Sequence, residues 1–406
     1  MKNIRLVGEN KKTTPMAKIT LFSQVLQLLP KEQIKKIIND HGTDKCSKSF
    51  DTWSHLVSMI FCQFADCNSL RDISHGMRSA QGNLNHLGVK SAPSKSTIAY
   101  QNEHRNSEVF KDIYYEVFNS LGQQVRGGKL INGLKRPVKL LDSTLISLCM
   151  SVYDWALYTQ TKGAIKLHTL LDFKTYLPEY VYITDGKGTD NKSAGEVKIE
   201  PNSIVVSDRG YCDFNLLNDW DSKNVFFVVR HKANLLFNSI EELNLPEKRH
   251  QNILKDEIIE LIGSQTKEKY TKPLRRVVIY NEKDKYTLEL LTNNFKIAAS
   301  TISELYKARW RIETFFRTIK DNFQIKSFVG TSRNAVEIQI WTALITIVLL
   351  AYMQHIAKYT WHFSNLVHSM RLNTFTKIDL HEWINNPFYI DENDDEKPPG
   401  GILLSQ

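Results

Sequence analysis

Between Ile338 and Met353 the chain reads IQIWTALITIVLLAYM, sixteen residues with no charge and a single amide, Gln339. A helix that is apolar all round needs apolar surroundings on every side. The run is shorter than the ~20 residues that cross a bilayer. It is therefore read as a helix at the centre of a large core, and no membrane span is expected. Enclosing a helix takes many other elements. A chain of 406 residues supplies them, with length enough for roughly two to three domains.

Composition narrows the class. Hydrophobic residues at 42% and charged residues at 24% exclude a wholly disordered, collagenous or coiled-coil chain. Cys46, Cys62, Cys67, Cys149 and Cys212 are odd in number and lack paired zinc-type spacing. They suit inert thiols in a reducing compartment. The N-terminus, MKNIRLVGENKKTT, has no apolar stretch of the secretory kind, so a cytoplasmic location is expected. Lys and Arg number 53 against 44 Asp and Glu, a net charge of +9, and residues 1–130 carry +7 of it. A basic leading region points to a polyanionic partner.

Residues 1–130 read as helical. LFSQVLQLLPKEQIKKIIND places Leu21, Val25, Leu28 and Leu29 at helical spacing. WSHLVSMIFCQFADCNSL follows, stopped by Asp66 and Asn68, and Ser69 can cap the next helix. SAPSKSTIAYQNEHR offers Lys95 and Arg105 among side chains of phosphate-binding type. The Gly-rich, basic GQQVRGGKLINGLKRP reads as a linker. Short apolar strands then follow in PVKLLDSTLISL, AIKLHTLLDF, EYVYITDG, SIVVSDRG and NVFFVVRHKAN, with a helix capped by Asp213 before the last. This is a mixed α/β pattern. Residues 231–300 interrupt it with charged turns and a hairpin, LRRVVIY and YTLELLT joined by NEKDK. A helix capped by Ser303 is expected to run to Asn322. The tail, DENDDEKPPGG, is acidic and expected to be disordered.

Two carboxylates, Asp142 and Asp208, close apolar strand runs and precede small residues. Such ends are rigid and face crevices, which suits metal ligands, though turn and capping roles produce the same pattern. Asp172 and Asp185 compete for the first position. His168, in KLHTLLDF, is read as a buried hydrogen-bonded side chain or an approach to the same site. On the helix, with Tyr306 set at 0°, Arg309, Glu313, Arg317 and Lys320 fall within a stripe about 80° wide, while Ile312, Phe315, Phe316 and Ile319 lie opposite. A carboxylate flanked by cations is presented on one face. Intrahelical pairing such as Arg309 with Glu313 is the alternative reading.

Tyr306, Arg309, Glu313 and Lys320 reproduce Tyr-x2-Arg-x3-Glu-x6-Lys without a mismatch. Together with Asp142 in LLDST and Asp208 in VVSDRGY, this resembles the DDE transposases of the insertion-sequence-four family over about residues 136–355. The resemblance implies an α/β, RNase H-like catalytic core (136–230 and 301–360). A β-rich insertion (231–300) interrupts the core, an all-helical N-terminal DNA-binding domain (1–130) precedes it, and a C-terminal segment (361–406) follows. It implies that Asp142, Asp208 and Glu313 bind two Mg²⁺ ions, with Mn²⁺ as a substitute. Asp142 would bridge the ions, and Asp208 and Glu313 would each complete one site. It implies that Tyr306, Arg309 and Lys320 grip DNA phosphates, with Arg317, Arg230, Lys95 and Arg105 as further contacts. The partners implied are double-stranded DNA, as terminal inverted repeats and target, and a second copy in a synaptic homodimer. The protein would then associate with the nucleoid when bound to DNA. A DNA hairpin step is also implied, with Phe237, Tyr270, Tyr280 or Tyr286 holding a flipped base. A related nuclease without strand transfer and an inactive DNA-binding derivative are the alternatives.

Overall fold

The computed structural model describes residues 18–387 except 46, 81, 126–130, 132, 133, 157, 160–162, 188–193, 196, 232, 233, 246–251 and 282–284. The acidic tail, Cys46, much of the expected linker and the centre of the NEKDK turn lie outside the described residues.

The leading region is helical, as expected. Pro30 divides its first apolar stretch into α1 (Leu21–Gln27) and α2 (Lys31–His41). Asp51 caps α3 (Thr52–Ala65), whose end is set by Asp66 in the left-handed region at φ 57°. The side chain of Ser69 accepts from the Asp72 amide and starts α4 (Leu70–Ser79). Then come α5 (Lys95–His104) and α6 (Glu108–Ser120).

The strands β1 (Val138–Leu148), β2 (Gly163–Asp172), β3 (Pro178–Asp185), β4 (Ile204–Ser207) and β5 (Phe226–Arg230) coincide with the five apolar runs. Between β4 and β5, Asp213 caps α7 (Phe214–Ser222), accepting from the Asn215 and Leu216 amides. β1–β2 and β2–β3 pair antiparallel, while β1–β4 and β4–β5 pair parallel. This gives the order β3-β2-β1-β4-β5, the strand arrangement of an RNase H-like core.

The insertion adds β6 (Phe237–Glu242), β7 (Ile253–Leu261), α8 (Ser264–Lys269), β8 (Leu274–Asn281) and β9 (Tyr286–Thr292). The expected hairpin is β8–β9. β9 pairs with β5, so the insertion extends the core sheet to nine strands in the order β3-β2-β1-β4-β5-β9-β8-β7-β6. β7, ILKDEIIEL, has a strand's apolar alternation hidden by its acids. Those acids are paired across the sheet: Arg275 of β8 holds Asp256, and Arg276 holds Glu257.

After β9 come α9 (Ala299–Ala308) and α10 (Trp310–Asn322), nearly continuous through Arg309. Ser303 is not the cap that the sequence suggested. The helix begins a turn earlier after Ala298, and Ser303 is buried within it. α11 (Arg333–Ile356) contains the apolar run. At 24 residues it is longer than the run and could cross a membrane by length and composition alone, but 83% of its most apolar window is buried in the fold. It packs against α3, α5, α6 and α12 (Phe363–Asn373). Finally α13 (Leu380–Asn385) packs on α1, and Gln24 bonds to the backbone of Ile378 and Leu380.

Alternation along the strands fixes which side is which. Leu140, Val206 and Val228 belong to the same apolar cluster as α9, α10, α11 and the N-terminal helices. Leu141, Val205, Phe227 and Val229 face the other way, onto α7 and Tyr270. Asp142 and Asp208 stand two residues beyond Leu140 and Val206, on the side of α9 and α10.

Candidate active site

Asp142 does not end its strand. β1 continues six residues further, paired there with β2 alone. What ends is the pairing with β4, whose last row is Leu141 with Ser207. One row on, Asp142 and Asp208 therefore sit side by side where two parallel strands part, with Asp208 the first residue after β4. The crevice that the sequence located at strand ends is made by strand separation.

The α9–α10 pair closes over this gap. Arg309 Nη1 lies 3.1 Å from Asp142 Oδ2, and its Nη2 lies 2.5 Å from Glu313 Oε1. The Arg309 guanidinium lies over the Tyr306 ring at 5.7 Å, and the Tyr306 hydroxyl donates to Asp208 Oδ1 at 3.3 Å. Three carboxylates from three separate parts of the chain are thus linked through two of the four helical signature residues. The fourth, Lys320, donates to Thr144 Oγ1 at 2.7 Å and to the Leu145 carbonyl at 2.8 Å. Its ammonium is held by neutral acceptors. Sequence reasoning missed this anchorage, although Thr144 shares the Asp142 face of β1 by alternation.

The electrostatics follow from burial. Desolvation pushes the Asp142 carboxyl up to about 6, against the Ser143 amide and Arg309, while Asp208 and Glu313 push it further up. Burial and the Asp208 charge raise the Tyr306 phenol to about 12, so it remains a neutral donor. Burial lowers the Lys320 ammonium.

The model of the transposase DDE domain matches residues 133–349. The chain is a DDE transposase of the insertion-sequence-four family. A domain of unknown function matches residues 17–90. A Sinorhizobium fredii protein named as a transposase, y4zB, is 30% identical over 64% of this chain and 71% of its own. A Geobacillus stearothermophilus relative, named for insertion sequence element IS5377, is 26% identical over 64% of this chain and 67% of its own. The transposase for insertion sequence element IS231E of Bacillus thuringiensis is 21% identical over 52% of this chain and 55% of its own. The transposase acts on DNA and, as its domain implies, depends on divalent metal.

The donor set fits a hard divalent ion, since all three side chains offer carboxylate oxygen. Burial, with Asp208 and Glu313 nearby, raises the Asp142 carboxyl despite the Arg309 guanidinium beside it. As arranged, no three His, Cys, Asp or Glu side chains among the described residues are close enough to enclose an ion. The Arg309 guanidinium stands between Asp142 and Glu313, in a cation's place.

The other candidates separate clearly. Asp172 is a turn residue that accepts the Lys174 and Thr175 amides and pairs with Lys139. Asp185 pairs with Arg333 at 3.5 Å. His168 is buried and bonded to Thr184 Oγ1 at 3.1 Å. Arg105 requires a correction as a DNA contact. It is 4% exposed, and its guanidinium donates inward to the Phe50 and Asp51 carbonyls beside the α3 cap. Lys95, at the start of α5, and Arg317 are exposed. Arg230, the last residue of β5, lies over the Tyr286 ring at 5.8 Å. Among the aromatics, Tyr270 is 1% exposed and out of reach of a base, whereas Tyr280 and Tyr286 are open to solvent.

Proposed function

We propose that the transposase binds the terminal inverted repeats of its insertion sequence, cleaves there in a Mg²⁺-dependent reaction and joins the freed end to target DNA by cut and paste. The observation that carries this reading is the meeting of Asp142 and Glu313 on the Arg309 guanidinium, with Asp208 joined to them through the Tyr306 hydroxyl. Asp142, Asp208 and Glu313 would hold the divalent ions. Such ions would supply Lewis-acid stabilisation to the attacking and leaving oxygens of a phosphoryl transfer.

The chain's own cations receive the substrate. A phosphate draws Arg309 from Asp142 and Glu313 as a bidentate partner, which clears the carboxylates. Lys320, tethered to β1 by neutral acceptors, keeps its charge for a second phosphate. Tyr306 orients Asp208 by its hydroxyl and adds a phosphate donor. Arg317, Arg230 and Lys95 extend the path of the strand. Tyr286, exposed beside Arg230, suits the stacking that a hairpin step requires. A homodimer pairs the two ends.

The decisive experiment incubates purified protein with Mg²⁺, a duplex ending in the inverted repeat and a target plasmid. Joined products are expected. Cleaved ends without joining would replace the reading with a nuclease, and specific binding without cleavage would replace it with an inactive derivative. Lys320→Ala is expected to flatten the plot of log affinity against log salt for the end duplex by about 0.9, one phosphate contact. An unchanged slope would remove Lys320 from the DNA path.

A further inference from the structure

A second site lies behind the helix that carries Glu313. Arg311 lies in the first turn of α10 and precedes Glu313 by two residues, about 200° around the helix. It therefore faces away from the carboxylates, into a cavity of about 770 Å³. The other walls are the β2–β3 turn at Tyr176, the end of α11 and the segment leading to α12, with Tyr359 and Trp361. Small-molecule sites occupy roughly 300–1,000 Å³.

The lining has one chemical character. The Arg311 guanidinium lies 4.6 Å from the ring of Phe173 and 4.9 Å from that of Tyr176. Its Nη1 is buried without a hydrogen-bond partner. Desolvation lowers its pKa, and no carboxylate offsets the effect. His355 and Lys358 add basic side chains to the lining, which among the described residues includes no Asp or Glu. Tyr176, which helps hold the guanidinium, has a backbone φ of 57°, a left-handed conformation that aromatic residues rarely adopt.

We propose that this cavity binds a small free organic anion, with its acidic group among the basic side chains of Arg311, His355 and Lys358 and a flat apolar body among the aromatic walls. The basic side chains supply the charge complementarity, and the rings supply the apolar contact. The proposal is independent of the roles given to the three carboxylates.

The test titrates the full chain calorimetrically with 1-naphthyl phosphate as probe. Saturable binding of one probe per chain is expected, with inorganic phosphate and 1-naphthol each at least tenfold weaker. Arg311→Gln is expected to weaken the probe at least tenfold. Because Arg311 also packs against two rings, Thr314→Trp provides a second variant. It keeps Arg311 and fills the cavity from an exposed position on its wall, and it is expected to weaken binding as much. Absence of saturable binding to the unaltered chain would overturn the proposal, as would unchanged affinity in both variants. Displacement of the probe by an inverted-repeat duplex would overturn it too, by showing that the cavity takes DNA rather than a free anion.

Discussion

Asp142→Asn is expected to lower Mg²⁺-dependent cleavage of an end-containing duplex by at least ~10³-fold, and to stabilise the metal-free protein at neutral pH. The first effect follows from the proposed role of Asp142 as a metal ligand, since metal ions supply several kcal/mol of transition-state stabilisation. The second follows from burial. The Asp142 carboxyl is pushed up to about 6 in the folded chain, so the folded state holds a proton that the unfolded state has already released. Stability therefore falls as pH rises from about 4 to about 6, by on the order of 3 kcal/mol. Below that window the two states are protonated alike and Asn confers no advantage. Arg309 retains Glu313 in the variant. Thermal unfolding at pH 4 and pH 7.5 in chelator, beside a cleavage assay, measures both effects. A variant that still cuts would remove Asp142 from the site. A variant no more stable than the parent at pH 7.5 would show that the carboxylate is not short of positive charge.

Arg275→Leu is expected to destabilise the fold by about 3–5 kcal/mol, a large share of a total of roughly 5–15. Arg275 and Asp256 are each 5% exposed and meet in a bidentate pair at 2.8 and 2.7 Å. Arg275 Nη1 also donates to the Ile297 carbonyl at 2.6 Å, which ties the insertion to the approach to α9. Removing the cation strands Asp256 as an unpaired buried charge. The double variant Asp256→Leu, Arg275→Leu is expected to regain most of the loss, because neither charge then remains. Urea denaturation of the three proteins measures this. A double variant as unstable as the single one would place the cost in lost packing instead.

Much of the molecule was legible in short-range pattern. The β1–β5 runs are apolar and bounded by turn residues. Ser69 and Asp213 cap helices where their side chains meet amides two or three residues on. The spacing from Tyr306 to Lys320 places one polar stripe on one side of α9 and α10. Where reading failed, a distant partner decided the outcome. β7 looked like a charged turn because Arg275 and Arg276, which neutralise its acids, lie 19 residues further on. Arg105 looked available to phosphate because its two carbonyl acceptors lie 54 and 55 residues earlier.

The sequence by itself determined the helices of the leading region, the five core strands, the family and the spacing from Tyr306 to Lys320, because periodicity, caps and motif spacing are properties of neighbouring residues. Only the tertiary structure decided that the insertion continues the core sheet, and that β1 and β4 part beside Asp142 and Asp208. It alone decided that Arg309 lies between Asp142 and Glu313. A buried charge or an open strand edge is costly until some other part of the chain meets it, and which part does so is settled by the packing of the whole.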